Sequence, residues 1–246
     1  MYISIHIPKT AGTALAKIFD DTTLHRVIYD YGTEFDLVGV RTCPAEIREH
    51  RDFIQSYFQY LHGHFHYLKY ADAFPDAPVI TTVRNPVDRV VSQYLHILRG
   101  GNPDIKAHRL IMDGEMSIVE FSKLKYIGNA QWYYLEGREI EDYDFIFVQE
   151  HLEYSLAQFC ERFKKPEITK YLSWIGGSPK VNEKPKPLQV GGGLRGIVNY
   201  LVTKTKESSK SPRRVKITED DKRKIYKICE RDVDVYRRAK ECLKIS

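Results

Sequence analysis

The sequence contains no apolar run long enough to cross a membrane, which takes about 20 residues. It opens with no basic and then apolar leader, because residue 2 already begins a strand pattern. Cysteine is scarce: Cys43, Cys160, Cys229 and Cys242 form no C-x-x-C pair. That spacing excludes a zinc-ribbon framework and argues against a disulfide scaffold, so reduced structural thiols are expected. No internal repeat and no nucleic-acid-binding motif is present, so no nucleic-acid partner is expected. An ATPase loop of the form G-x-x-x-x-G-K-[ST] is also missing.

What remains is globular in character. The 246 residues are 42% hydrophobic and 12% aromatic, enough for one α/β domain spanning 1–246 with a large core. The formal net charge of +5 is unevenly spread. Residues 180–246 hold 19 Lys and Arg against 9 Asp and Glu, while the rest of the chain holds 19 against 24. A basic C-terminal region suits either a solvated helix face or attraction of an anionic partner.

The chain starts as a strand, Tyr2 to Ile7, and turns through Pro8-Lys9-Thr10-Ala11-Gly12-Thr13-Ala14 into a helical pattern. A strand, a tight turn and a helix start make an anion cradle, because the first-turn amides lack intrahelical acceptors and the helix dipole adds positive charge. Gly12 permits close backbone approach, Lys9 supplies a full charge, and Thr10 and Thr13 offer hydroxyl donors. Lys9 precedes Gly12, the reverse of the ATPase order.

The same arrangement recurs at Val79 to Val83, a β-branched run without strict alternation, as in a strand buried on both faces. Arg84 ends that strand, Asn85 is a good N-cap, and Pro86 fits the first helical position. Ser92 falls about two turns into the helix that follows. Alone, Arg84 reads as a surface cation and Ser92 as a small helix residue. Together with the first turn they put anion-binding groups at the C-terminal edge of a parallel sheet, where open α/β folds place ligands.

Pro8-Lys9-Thr10-Ala11-Gly12-Thr13 resembles the 5′-phosphosulfate loop of sulfotransferases that use 3′-phosphoadenosine 5′-phosphosulfate (PAPS). Arg84-Asn85-Pro86-(x)5-Ser92 resembles their 3′-phosphate motif, with Asn85 where Asp is common. His62-Gly63-His64 and Asn129-Ala130-Gln131 with Leu135 are similar to stretches of the membrane-type glycan group, which includes the heparan and uronyl 2-O-sulfotransferases. The resemblance runs from residue 1 to about residue 165.

It implies a P-loop-like sulfotransferase fold, a central, mainly parallel sheet with helices on both faces. It also implies PAPS as donor, PAP as product, no metal, and transfer to an acceptor hydroxyl, that of a carbohydrate or glycoconjugate. Lys9 would stabilise the leaving phosphate, the 8–14 turn would hold the phosphosulfate, and Arg84 with Ser92 would hold the 3′-phosphate. The second histidine of the His-Gly-His segment, His64, would be the base, with His62 orienting or assisting. Spacing alone does not choose among His62, His64 and His66. His62 and His64 also have the form of a metal-ligand pair, but no third ligand stands at suitable spacing. Eukaryotic relatives carry a Golgi anchor and stem, so a soluble, bacterial, cytoplasmic enzyme is expected. Rival readings are an ATP-dependent kinase and a non-catalytic binder of anionic glycans.

Four further expectations concern local structure. Ala45 to Leu61 has helical spacing and would deliver the histidines to the next turn. Residues 184–214, with Gly191, Gly192 and Gly193, read as a flexible loop. Thr218 caps one final helix running to residue 243. Glu150 reads as a solvated carboxylate at a strand end.

Overall fold

A computed structural model describes residues 1–31, 44–172 and 215–245. The segment 184–214, with Gly191 to Gly193, and Cys43 lie outside the described residues. Among the described residues, five strands form one sheet: β1 (Tyr2–Ile5), β2 (Val27–Asp30), β3 (Tyr60–Gly63), β4 (Val79–Val83) and β5 (Phe145–Val148). All pairings are parallel and the order is β2-β3-β1-β4-β5. Parallel strands need covered crossovers, and the helices supply them: α1 (Gly12–Thr23), α2 (Pro44–Glu49), α3 (Arg51–Tyr57), α4 (Pro86–Gly100), α5 (Lys106–Asp113), α6 (Ile118–Ser122), α7 (Ala130–Leu135), α8 (Leu152–Arg162), α9 (Glu219–Ile228) and α10 (Glu230–Cys242).

Successive strand side chains point to opposite faces, so each strand feeds two cores. Ile3, Ile5, Leu61 and Val79 join one cluster; Tyr60, Ile80 and Phe147 join the other, with Leu15, Phe19 and Phe159 from α1 and α8. Each fully buried side chain of this size contributes roughly 1.5–3 kcal/mol. A third cluster ties α4 to α5, α6 and α9. β1 lies between β3 and β4, so the chain leaves it in one direction and later crosses to the other side. The turns after β1 and β4 therefore flank one crevice at the carboxyl edge of the sheet.

Two boundaries differ from the sequence expectation. Ala45 to Leu61 is not one helix: α2 and α3 end at Tyr57, and Tyr60 to Gly63 enters the sheet as β3. Tyr57, Phe58 and Leu61 satisfy helical spacing, but Tyr60, Leu61 and His62 are all buried, as a central strand requires. The C-terminal segment is two helices that break at Cys229, whose φ of −89° and ψ of 28° leave the helical region. Thr218 does cap α9, in a reciprocal capping box with Asp221.

Candidate active site

The first turn is held by its own backbone. Lys9 and Ala11 take positive φ, 71° and 67°, a conformation non-glycine residues adopt at a cost. Thr10 lies buried between them, and its hydroxyl donates to the Ile7 carbonyl at 2.8 Å. Here the Thr10 proton is used to fold the turn. Gly12 opens α1 against the His6 ring. A Cβ there would stand 1.9 Å from His6 Cδ2, so glycine is required by the imidazole beneath it.

The second turn is held from outside. The Gln131 side chain grips the Arg84 backbone twice: Arg84 N donates to Oε1 at 2.7 Å and Nε2 donates to the Arg84 carbonyl at 3.0 Å. Asn85 N donates to Glu150 Oε1 at 2.8 Å, and the Asn85 side chain caps α4 by accepting from Val87 N and Asp88 N. Glu150, exposed at the end of β5 as expected, also clamps the turn; its other oxygen accepts from the Tyr236 hydroxyl at 3.1 Å.

The two turns meet. Arg84 Nη1 donates to the Lys9 carbonyl at 3.2 Å. Between them opens a cavity of about 680 Å³ whose wall includes Lys9, Ala11, Gly12, Thr13, Arg84 and Ser92. Ala14 is not on that wall, and neither is Thr10. Burial lowers the Lys9 pKa, and the Arg84 and Arg99 charges lower it further. A cation so placed gains from any anion that enters. Arg84 Nε is buried and takes no hydrogen bond among the described residues.

The histidines separate by position. His64, just after β3, lines the cavity. His62 lies within β3, opposite Ser4 of β1 and Tyr29 of β2, with its Nδ1 2.8 Å from Ser4 Oγ. Burial first, and the neighbouring His64 second, push the His62 pKa down to about 3. It is a neutral ring in the sheet and does not line the cavity. Between these two rings Gly63 is forced, because a Cβ would fall 1.7 Å from the Asp30 carbonyl oxygen. His66 starts a short 3₁₀ turn, accepts from Leu68 N and contacts Tyr133.

Sequence reasoning passed over His6. It stands on the cavity wall, its ring stacked on His62 at 5.2 Å and tilted against His64 at 4.4 Å between centroids. Its pKa falls well below the ordinary histidine value, chiefly through burial and then through the two other imidazoles and Lys9. Its position two residues before Pro8-Lys9 was the available signal. No group of His, Cys, Asp or Glu arranged to hold a metal ion occurs among the described residues.

Comparison with known proteins places the chain in a family. No curated protein sequence matches the chain. Among solved structures, mouse sulfotransferase SULT7A1 complexed with PAP is similar at a TM-score of 0.52 and 14% identity, covering 98% of this chain and 87% of that one. A sulfotransferase from Alicyclobacillus acidocaldarius is similar at a TM-score of 0.39 and 15% identity, covering 96% of this chain and 98% of that one. The likeness to the mouse protein is one of fold. The model of the Sulfotransferase family matches residues 13–139, more than half of the sequence, and takes in His64, Arg84 and Ser92. This chain therefore belongs to the sulfotransferase family.

Proposed function

We propose that the protein transfers a sulfuryl group from PAPS to an acceptor hydroxyl, that of a carbohydrate or glycoconjugate, with His64 as the base. One observation carries the reading: two separate turns bring Lys9 and Arg84 to a single cavity, with Ser92 and His64 on the same wall. The residues fit a donor with two phosphorylated ends. The α1 start, Thr13 and the Lys9 amine suit a 5′-phosphosulfate. The Arg84 guanidinium, with a buried Nε that has no hydrogen-bond partner among the described residues, suits a 3′-phosphate shared with Ser92. The mouse neighbour of like fold binds PAP.

PAPS supplies an activated sulfuryl group with a phosphate as leaving group. Transfer forms a bond from the acceptor oxygen to sulfur and breaks the bond from sulfur to the phosphate oxygen. Negative charge grows on that phosphate, where the Lys9 ammonium neutralises it. The acceptor proton passes to the His64 imidazole, which lines the cavity. His62 acts from behind as a fixed neutral ring, and Thr10 keeps Lys9 in its left-handed conformation. The sugar acceptor follows from the likeness of His62-Gly63-His64 and Asn129-Ala130-Gln131 to the glycan group. A kinase would need a carboxylate beside a phosphate-bound metal; among the described residues the cavity wall presents cations, hydroxyls, amides, imidazoles and apolar groups.

Thermal-shift measurements with PAP, AMP, ADP and ATP test the donor. A selective shift with PAP is expected; equal shifts with AMP would remove the 3′-phosphate from the reading. His64→Ala is expected to lower turnover by about 10²–10⁴-fold while PAP still raises the melting temperature. Near-normal turnover in that variant would reassign the base.

A further inference from the structure

The C-terminal helices lie beyond the family-matched residues, yet they are wired to the Arg84 turn by two separate routes. In the first, α7 and α10 cap one another. The fully buried Asp232 carboxylate accepts the first-turn amides of α7, Gln131 N at 3.1 Å and Trp132 N at 2.8 Å. In return the Asn129 side-chain oxygen accepts Arg231 N and Asp232 N of α10, each at 3.1 Å, and its amide donates to the Ile228 carbonyl that ends α9. Gln131, fixed in this way, holds both backbone polar groups of Arg84. In the second route, Tyr236 of α10 donates to Glu150, whose other oxygen accepts Asn85 N.

The buried Arg89 guanidinium lies 3.7 Å from Asp232, donates to Gln93, and also donates to the Ile127 carbonyl. It completes a set of partners for a carboxylate taken out of water. A buried charge is costly unless so surrounded, and a cap built from neutral side chains would satisfy the same amides. What the charged version adds is rigidity: Asp232 is anchored by two backbone donors of α7 and by the Arg89 charge of α4, and it passes that fixity to Gln131.

We propose that Asp232 and Tyr236 are positioning residues for Arg84, setting the angle of its guanidinium in the cavity and so the preference for a nucleotide bearing a 3′-phosphate. This rests on the reading of Arg84 as the 3′-phosphate ligand. Neither residue lines the cavity; each acts through a relay, Gln131 or Glu150. A misplacement of about an ångström in such a group costs up to about a hundredfold.

The test is the ratio of PAP to AMP affinity, measured by calorimetry on the full chain. Arg84→Ala serves as the control and is expected to collapse the ratio. Asp232→Asn keeps the shape but replaces one accepting oxygen with a donor facing a donor. It is expected to lower the ratio about tenfold, with AMP affinity little changed. Tyr236→Phe, a milder change, should lower it about two- to threefold. A purely structural role would lower the melting temperature and leave the ratio intact. Should Asp232→Asn fail to fold, Gln131→Ala decides, because it cuts the relay and spares the buried ion pair. An unchanged ratio in the folded variants, with the control collapsed, overturns the proposal. An unchanged ratio in Arg84→Ala overturns the 3′-phosphate reading itself and the proposal with it.

Discussion

The two anion-facing turns do similar work by opposite means. The 8–13 turn is nearly self-sufficient: two left-handed residues, one inward hydroxyl and a glycine pressed on the ring of His6, all within eight positions. The 84–85 turn has ordinary backbone at its cap and is gripped by Gln131 and Glu150, residues 47 and 65 positions away. Beneath the first lie two buried neutral imidazoles; behind the second lies a buried ion pair. Local chemistry fixes the one, and tertiary packing fixes the other. The first should therefore fail by changes in its own few residues, and the second by changes far from it.

Acid should break the first turn's support most strongly. The folded pKa of His62, about 3, lies below its ordinary 6.5, and His6 is shifted the same way. Between those values the unfolded chain binds the proton and the folded chain does not. The stabilisation is complete above pH 6.5 and is lost as pH falls toward 3, on the order of 5 kcal/mol for His62. Denaturant midpoints measured across that range should fall steeply in the native protein and less steeply in His62→Gln. Parallel slopes would show that His62 is not held neutral.

Next in size is Gly12→Ala. Its Cβ would overlap the His6 ring, so a loss of about 1–3 kcal/mol is expected. In a His6→Ala background the same change should cost much less, since the overlapping ring is gone; a double-mutant cycle reads the coupling. Additive costs would mean that the glycine answers to something other than His6. Smallest is Thr10→Val, which removes one donor and leaves the Ile7 carbonyl unsatisfied, at about 1 kcal/mol. PAP affinity should barely move. A tenfold loss of PAP affinity at unchanged stability would return the Thr10 hydroxyl to the ligand.

The same contrast explains what was legible in the sequence. The strand-turn-helix pattern, the Asn85 cap and the Lys9 and Arg84 positions all follow from neighbouring residues, and they were readable. Tyr60 and Leu61 read as a helix end, with the histidines in the turn after it, because the apolar residues satisfy both periods and the four residues of β3 are too few to show alternation. The break at Cys229 carries no glycine or proline, and its cap is supplied by Asn129, a hundred positions earlier. Asn129 and Gln131 stood out as a motif, but their partners Asp232 and Arg84 are visible only once the helices are packed. His6 is hidden for the opposite reason: the apolar run Tyr2 to Ile7 reads as one buried strand, whereas β1 ends at Ile5 and His6 begins the turn.

The intimacy of Gly12 with His6 limits how this protein can be re-engineered. A heptad of sequence copied from here into another scaffold would arrive without the ring it was shaped around, and a bulkier aromatic in that place would push the graft outward. Successful transplants should carry the histidine and the glycine as one unit, and libraries that randomise either position alone should yield few active clones.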